Sequence, residues 1–302
     1  MPHSLGKSAL KVLLGLVFIV SAVLKLLDMD RFELYVYSYH FFSLNFSFIV
    51  ARLAIILELV LGIGLISRTL HRLYWWGSMA MLVGYTLLLL YAVHLGRTDS
   101  CHCFGDYLQL DPKQSLVKNG VLMLLLLAIY KMESRVTPFR WLILSLAIMA
   151  SAIGVFVASP PDNLANSDSE HNLQVELFDE MLNDAPMDSL HLDEGKQIVS
   201  FFSTGCEYCQ MAARKLSLMQ QFHGFSEERI TYLFMGNEED VSMFYKLSES
   251  QRYRYVLYPD ARMLKAVKGN LPTIVFMEDG RVVHEYGFRN MDEDEVKTFM
   301  AF

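Results

Sequence analysis

Cysteine is scarce in this chain of 302 residues. There are four, in two close pairs, Cys101 with Cys103 and Cys206 with Cys209. Scattered cysteines would suggest structural bridges, whereas tight pairs point to redox or metal chemistry. Charge is sparse too, at 20% of residues, and no stretch forms a basic stripe. A nucleic-acid partner is therefore not expected. Dinucleotide, P-loop and haem-attachment motifs are missing. So is the second C-x-x-C that a zinc ribbon would need.

Apolar residues are plentiful. They make up 53% of the chain, and the mean hydropathy is +0.28. This excludes a disordered chain and a fibre. The charges sort by halves. Residues 1–158 hold 13 Lys and Arg against 8 Asp and Glu, while residues 159–302 hold 13 against 25. That division predicts a membrane domain joined to an acidic soluble domain.

Five apolar runs fall at Leu10–Leu27, Phe46–Ile66, Leu73–Leu95, Leu116–Tyr130 and Trp141–Ala158. A spanning helix needs about 20 mostly apolar residues. Only the fourth run is short, and Lys131-Met132 would extend it. Basic residues (Lys7, Lys11, Arg68, Arg72, Lys131, Arg135, Arg140) collect in alternate connections, and acidic ones (Asp28, Asp30, Glu33, Asp99, Asp106, Asp111) in the others. The positive-inside rule then predicts a cytoplasmic N-terminus. The loop holding Cys101 and Cys103 and the C-terminal domain both fall outside, in an oxidising compartment. The first run lacks a clear small-x-small cleavage site and reads as a membrane helix.

Cys101-His102-Cys103-Phe104-Gly105 precedes the fourth run. Thiols at i and i+2 close only a small ring, and such strained bridges are easily reduced. A static clip and a copper or zinc site on Cys101, His102 and Cys103 are the alternatives; for zinc a fourth ligand is not evident. Glu58 lies near the middle of the second run. A carboxylate there faces the bundle or is protonated. Two roles stand open, a proton relay and a packing residue. Arg52, six positions away, is off the same helix face. Lys25 and His94 lie near outer helix ends, where long side chains reach toward the interface.

The C-x-C-F-G element resembles that of MauE-type proteins in the wider DoxX-like group. Gly15, Ser21, Lys25, Asp28 and Phe32 resemble that group's first-helix pattern. Glu58 with Gly62 resembles its second, and Lys118-Asn119 a pair that opens a late helix. The resemblance covers roughly residues 8–131. It implies a four-helix unit tied to periplasmic disulfide handling in a bacterial inner membrane. The fifth run is an added crossing. The architecture is also similar to the vitamin K epoxide reductase family, which suggests a quinone as acceptor by analogy alone.

Residues 159–172 read as a linker. A flexible stretch of that length spans roughly 20 Å. Beyond it the pattern turns α/β. Gln197–Ser203 reads as a buried strand, and Cys206-Glu207-Tyr208-Cys209 opens a helix to about Phe222. Ile230–Met235 is a strand, Val241–Ser248 a helix, Thr273–Met277 and Arg281–Tyr286 a hairpin around Asp279-Gly280, and Asp292–Phe302 a helix. A C-x-x-C between strand and helix is a redox site, because the helix N-terminus stabilises a thiolate. The stretch resembles thioredoxin-like domains. That likeness implies a cis bond at Leu271-Pro272, which would present the Leu271 backbone to a client strand. It departs from the pattern with Gly205 in place of tryptophan and Ser200 in place of a buried aspartate. Glu207 is the alternative proton acceptor. Cys206 and Pro272 are 66 positions apart, longer than in minimal thioredoxins, with the excess expected in Met243–Tyr258.

The expected protein is thus an all-α membrane bundle (1–131, with a fifth helix in 132–158), a linker, and a thioredoxin-like domain (173–302). Its expected function is thiol–disulfide oxidoreduction in series: Cys206 and Cys209 exchange with client thiols or disulfides, then with Cys101 and Cys103, with Glu58 handling a proton. Beyond a quinone, no cofactor other than the redox-active disulfides is expected. Copper handling and simple membrane anchoring of the soluble domain are the alternatives.

Overall fold

A computed structural model describes residues 2–67, 70–97, 111–131, 139–160, 173–184, 187, 190–258 and 261–301. Two compact units emerge, one helical and one built on a sheet. Cys101, His102 and Cys103 lie outside the described residues.

The helical unit contains α1 (Pro2–Leu27), α2 (Met29–Tyr37), α3 (Leu44–Ser67), α4 (His71–His94), α5 (Pro112–Ile129) and α6 (Arg140–Ala158). All but α2 are long and apolar enough to cross a membrane, so this is a multi-pass membrane protein. The fourth apolar run grows at the end opposite to the expected one. It starts at Pro112 because Asp111 and Gln114 form a capping box. Gln114 N donates to Asp111 Oδ1 at 2.7 Å, and Asp111 N donates to Gln114 Oε1 at 3.2 Å. Proline at the first helical position loses no bond.

Helices in lipid gain little from apolar burial, so close backbone packing and polar contacts hold them. α1 and α3 meet at two glycines. A Cβ at Gly15 would stand 2.7 Å from the Gly62 carbonyl oxygen, and one at Gly62 2.8 Å from that of Gly15. α4 and α5 run antiparallel, with Trp75 Nε1 donating to Leu126 O at 2.7 Å and His71 Nε2 to Ile129 O at 3.0 Å. Leu13, Leu53, Leu87 and Leu124 are exposed, as lipid-facing residues should be.

In the second unit the strands are β1 (Lys196–Ser203), β2 (Ile230–Met235), β3 (Arg254–Leu257), β4 (Thr273–Glu278) and β5 (Arg281–Tyr286). Their order is β3-β2-β1-β4-β5. β1 pairs parallel with β2, β2 parallel with β3, and β4 antiparallel with both β1 and β5. Helices are α7 (Val175–Leu182), α8 (Glu207–His223), α9 (Glu238–Ser248), α10 (Ala261–Ala266) and α11 (Glu293–Met300). The fold is thioredoxin-like.

β1 is central, and its six interior residues are buried. On one face Val199 and Phe201 join Leu233 and Val275 against Phe178 and Met181 of α7 and Met263 of α10. On the other Phe202 packs on Tyr232, Phe234 and Phe244. Asp279 and Gly280 both have positive φ, 49° and 79°, as a two-residue hairpin turn requires. α9 starts three residues earlier than its apolar pattern, because Glu238, Glu239 and Asp240 suit a helix N-terminus. Four elements carry little sequence signal: α2, α7, β3 and α10. β3 is a half-exposed edge strand. It is held through Arg254, which donates to Thr231 Oγ1 at 2.7 Å and Gln197 Oε1 at 2.8 Å.

The glycine crossing is directly testable. Gly62→Ala should destabilise the helical unit by roughly 1–3 kcal/mol through overpacking. A Cβ at Gly120 would meet nothing within 4 Å, so Gly120→Ala should not. Thermal unfolding of the full chain in detergent compares the two.

Candidate active site

β1 ends at Ser203, and the chain turns into α8 through Thr204 and Gly205. Thr204 N donates to Met235 O at 3.2 Å and Cys206 N to Ser203 O at 3.1 Å. Gly236 closes against this turn, since a Cβ there would lie 2.2 Å from Thr204 Oγ1. The turn sets Cys206 as the N-cap of α8, with an extended backbone (φ −86°, ψ 118°). Its Sγ accepts the Cys209 N–H at 3.2 Å.

The two sulfurs have opposite surroundings. Cys206 is half-buried; Cys209 is fully buried. The Cys209 thiol hydrogen-bonds Cys206, and the backbone N–H groups of Cys209 and Tyr208 add to it. Together they outweigh partial burial and the opposing charge of Glu207, and pull Cys206 from 9.0 down to about 6. Burial first, and then its bond to Cys206, pushes Cys209 well up. At neutral pH the outer sulfur is therefore a thiolate, and the inner one keeps its proton. That is the division of roles a nucleophile and a resolving thiol need.

Leu271-Pro272 is a cis peptide bond. Thr273 pairs with Phe201, so Pro272 stands at the end of β1 from which Cys206 follows. A third side comes from the loop after β5. A Cβ at Gly287 would be 3.8 Å from Pro272 O. The Phe288 ring lies 6.0 Å from that of Tyr208. Lys215, buried in α8, donates to Phe288 O at 2.9 Å and sits 5.5 Å from its ring centre. Phe288 and Lys215 are not legible as site residues in the sequence. The one available signal is a lysine among the buried residues Ala212, Ala213 and Leu216 of α8.

Ser200 replaces the usual buried acid. Its Oγ and the hydroxyl of its β2 neighbour Tyr232 are buried without a hydrogen-bond partner among the described residues. Glu207 is exposed, and its charge opposes the Cys206 thiolate.

In the helical unit, Glu58 faces the bundle. Lys25 Nζ lies 2.7 and 2.8 Å from its two oxygens and donates to Ser21 Oγ at 2.7 Å. Lys25 is only 2% exposed. It therefore does not reach toward the interface, as its position near the helix end suggested; a counter-charge inside the bundle outweighs hydration at the rim. Its ammonium lies 5.8 Å from the Phe32 ring and 5.5 Å from that of Tyr85, within cation–π range. Ser21, Lys25, Phe32 and Glu58, which carried the family resemblance, thus converge on one centre. Beside it is a cavity of about 20 Å³ lined by Tyr85, Lys118 and Asn119 as well, room for a water molecule. Among the described residues no group of three or more His, Cys, Asp or Glu could hold a metal.

Fold and site define the class: a multi-pass membrane protein whose thioredoxin-like domain carries a site of the thiol–disulfide oxidoreductase kind. Residues 5–132 match the family model for methylamine utilisation protein MauE. The helical unit is thus similar to MauE-family proteins over most of its length. Over 77% of its length the chain is also similar, at 23% identity, to 77% of Protein TlpB from Flavobacterium psychrophilum.

Alkylation of Cys206 by iodoacetamide should rise with pH through a midpoint near 6, while Cys209 stays unreactive. Cys209→Ala removes the S–H donor and should raise that midpoint. Glu207→Gln removes an opposing charge and should lower it. A parent midpoint near 9.0, the ordinary value, would contradict the arrangement.

Proposed function

We propose that this protein relays electrons between client thiols and the C-x-C pair of its own membrane unit. The carrying observation is Cys206 at the N-cap of α8, accepting the Cys209 N–H above a buried Cys209 side chain, with cis Pro272 at the same sheet end, in one chain with Cys101 and Cys103. The setting is a bacterial inner membrane, with the N-terminus in the cytoplasm and both pairs on the periplasmic side. Alternating basic and acidic connections support that orientation.

The direction is client oxidation. A stabilised Cys206 thiolate favours the reduced C-x-x-C and makes its disulfide a stronger oxidant. A client thiolate attacks Cys206 of the disulfide, the Cys206–Cys209 bond breaks, and Cys209 takes a proton. The second client thiolate then attacks the client sulfur. The client leaves bridged, and Cys206 leaves as a thiolate. Cys206 next attacks the Cys101–Cys103 disulfide and expels one loop thiolate. Cys209, losing its proton, attacks Cys206 and expels the other. The result is a reformed Cys206–Cys209 disulfide and a loop dithiol, two electrons further on. The Leu271 backbone, presented by cis Pro272, holds the client strand by backbone pairing.

Glu58 handles a proton when the loop pair changes redox state, a role favoured by the water-sized cavity beside it. A quinone is the class of final acceptor.

Cys209→Ser should accumulate mixed disulfides of Cys206 with clients and with Cys101 or Cys103, visible on non-reducing gels and absent in Cys206→Ser. No crosslink to the loop under any redox condition would sink the relay. Glu58→Gln should slow turnover of the loop pair and change its pH dependence, with Cys206 alkylation unaffected. An unchanged pH profile would leave Glu58 as a packing residue.

A further inference from the structure

Two arginines in the helical unit grip α2, one at its middle through Glu33 and one just past its end at the C-cap Ser38. Arg52 of α3 is 1% exposed. Its guanidinium bonds Glu33 of α2 and donates to Phe48 O at 2.9 Å. The same group donates to Ser159 O at 3.0 Å and to Pro160 O at 3.1 Å. Those carbonyls belong to the end of α6, where the tether to the thioredoxin-like domain begins. α6 otherwise touches its unit lightly. Ala147, Ser151 and Val155 are buried, whereas Leu142, Leu146, Met149, Ile153 and Val157 are exposed. Beside the packing of Val155, the arginine clamp therefore adds directed hydrogen bonds at the end of α6.

Arg97 does the same for the C-x-C loop. α4 ends with Gly96 in the left-handed region, φ 70°, and Arg97 N turns back to Ala92 O at 3.0 Å. This closed helix end aims Arg97 at α2. Its guanidinium donates to Ser38 Oγ at 2.7 Å and lies 4.8 Å from the Tyr39 ring and 5.7 Å from that of Tyr35. Tyr35 and Tyr39 share a hydroxyl bond of 2.6 Å. At the far end of the loop stands the Asp111–Gln114 capping box. Both roots of the segment 98–110 are thus fastened.

We propose that α2 with its C-cap is a spacing element: Glu33, through Arg52, holds the origin of the tether, and the C-cap Ser38, through Arg97, holds the root of the C-x-C loop, so both pairs of cysteines start from places fixed against one helix. Five residues separate the two grips, about 8 Å along the axis. Residues 161–172 join that origin to the thioredoxin-like domain. The position of the origin sets how often Cys206 meets the loop. Arg52, Arg97 and Ser38 are positioning residues, and their role rests on the relay proposed above.

The test uses the full-length Cys209→Ser protein in detergent. Two rates are read: formation of the Cys206–loop disulfide, and formation of a Cys206 mixed disulfide with oxidised glutathione. Their ratio reports encounter frequency and cancels intrinsic reactivity. Arg52→Gln and Ser38→Ala should each lower the ratio roughly five- to tenfold, with the glutathione rate unchanged. Ser38→Thr, which keeps the hydroxyl, should restore it. If Arg52→Gln fails to accumulate, Ser38→Ala against Ser38→Thr decides. Ratios equal to the parent's in Ser38→Ala overturn the spacing role while the relay stands. A parent that forms the glutathione adduct but no loop disulfide overturns the relay, and the spacing role with it.

Discussion

Lys25 and Glu58 meet at 2.7 Å inside the helical unit because neither charge could stay there alone. An ion moved out of water loses hydration worth several kcal/mol, and only a well-placed counter-charge with further hydrogen bonds offsets the loss. Ser21 supplies one such bond, and the Phe32 and Tyr85 rings add their faces. Arg52 obeys the same constraint with Glu33 and four backbone or hydroxyl oxygens. These two buried pairs tie α1 to α3 and α2 to α3. The connections of the helical unit are thereby fixed by electrostatics, where apolar burial gives no preference in lipid.

The same reasoning runs at the sheet. A thiolate at Cys206 is tolerable because α8 offers it the N–H groups of its first turn and the Cys209 thiol. Burial keeps Cys209 protonated, and so keeps it available as that donor. The asymmetry between two chemically identical side chains comes from their depth and their place on the helix. Tyr208, Phe288 and Lys215 pack together on α8 and the loop after β5 without altering this division.

Much of the architecture is readable from pattern. The five long helices follow apolar run length, and β1, β2 and the β4–β5 hairpin follow short apolar stretches with turn residues between them. The C-x-x-C and the cis proline follow from motif and position. α2 is not readable, because nine residues of mixed polarity show neither a long run nor a clear stripe. β3 is not readable either, because an edge strand is only partly buried. Lys25 departs from its expected place for a related reason: nearness to a helix end predicts hydration only when no counter-charge faces it across the bundle.

Composition, run length and local motif alone determined that this chain is a helical membrane unit joined to a thioredoxin-like domain with a cysteine pair at a helix N-terminus. Those properties depend on neighbours within a few turns. Tertiary structure alone decided which charges pair, which of the two cysteines is buried, and that Arg52 joins Glu33 to the backbone after α6 while Arg97 reaches Ser38. Each of these depends on distance and burial between residues far apart in the chain, and no local pattern encodes them.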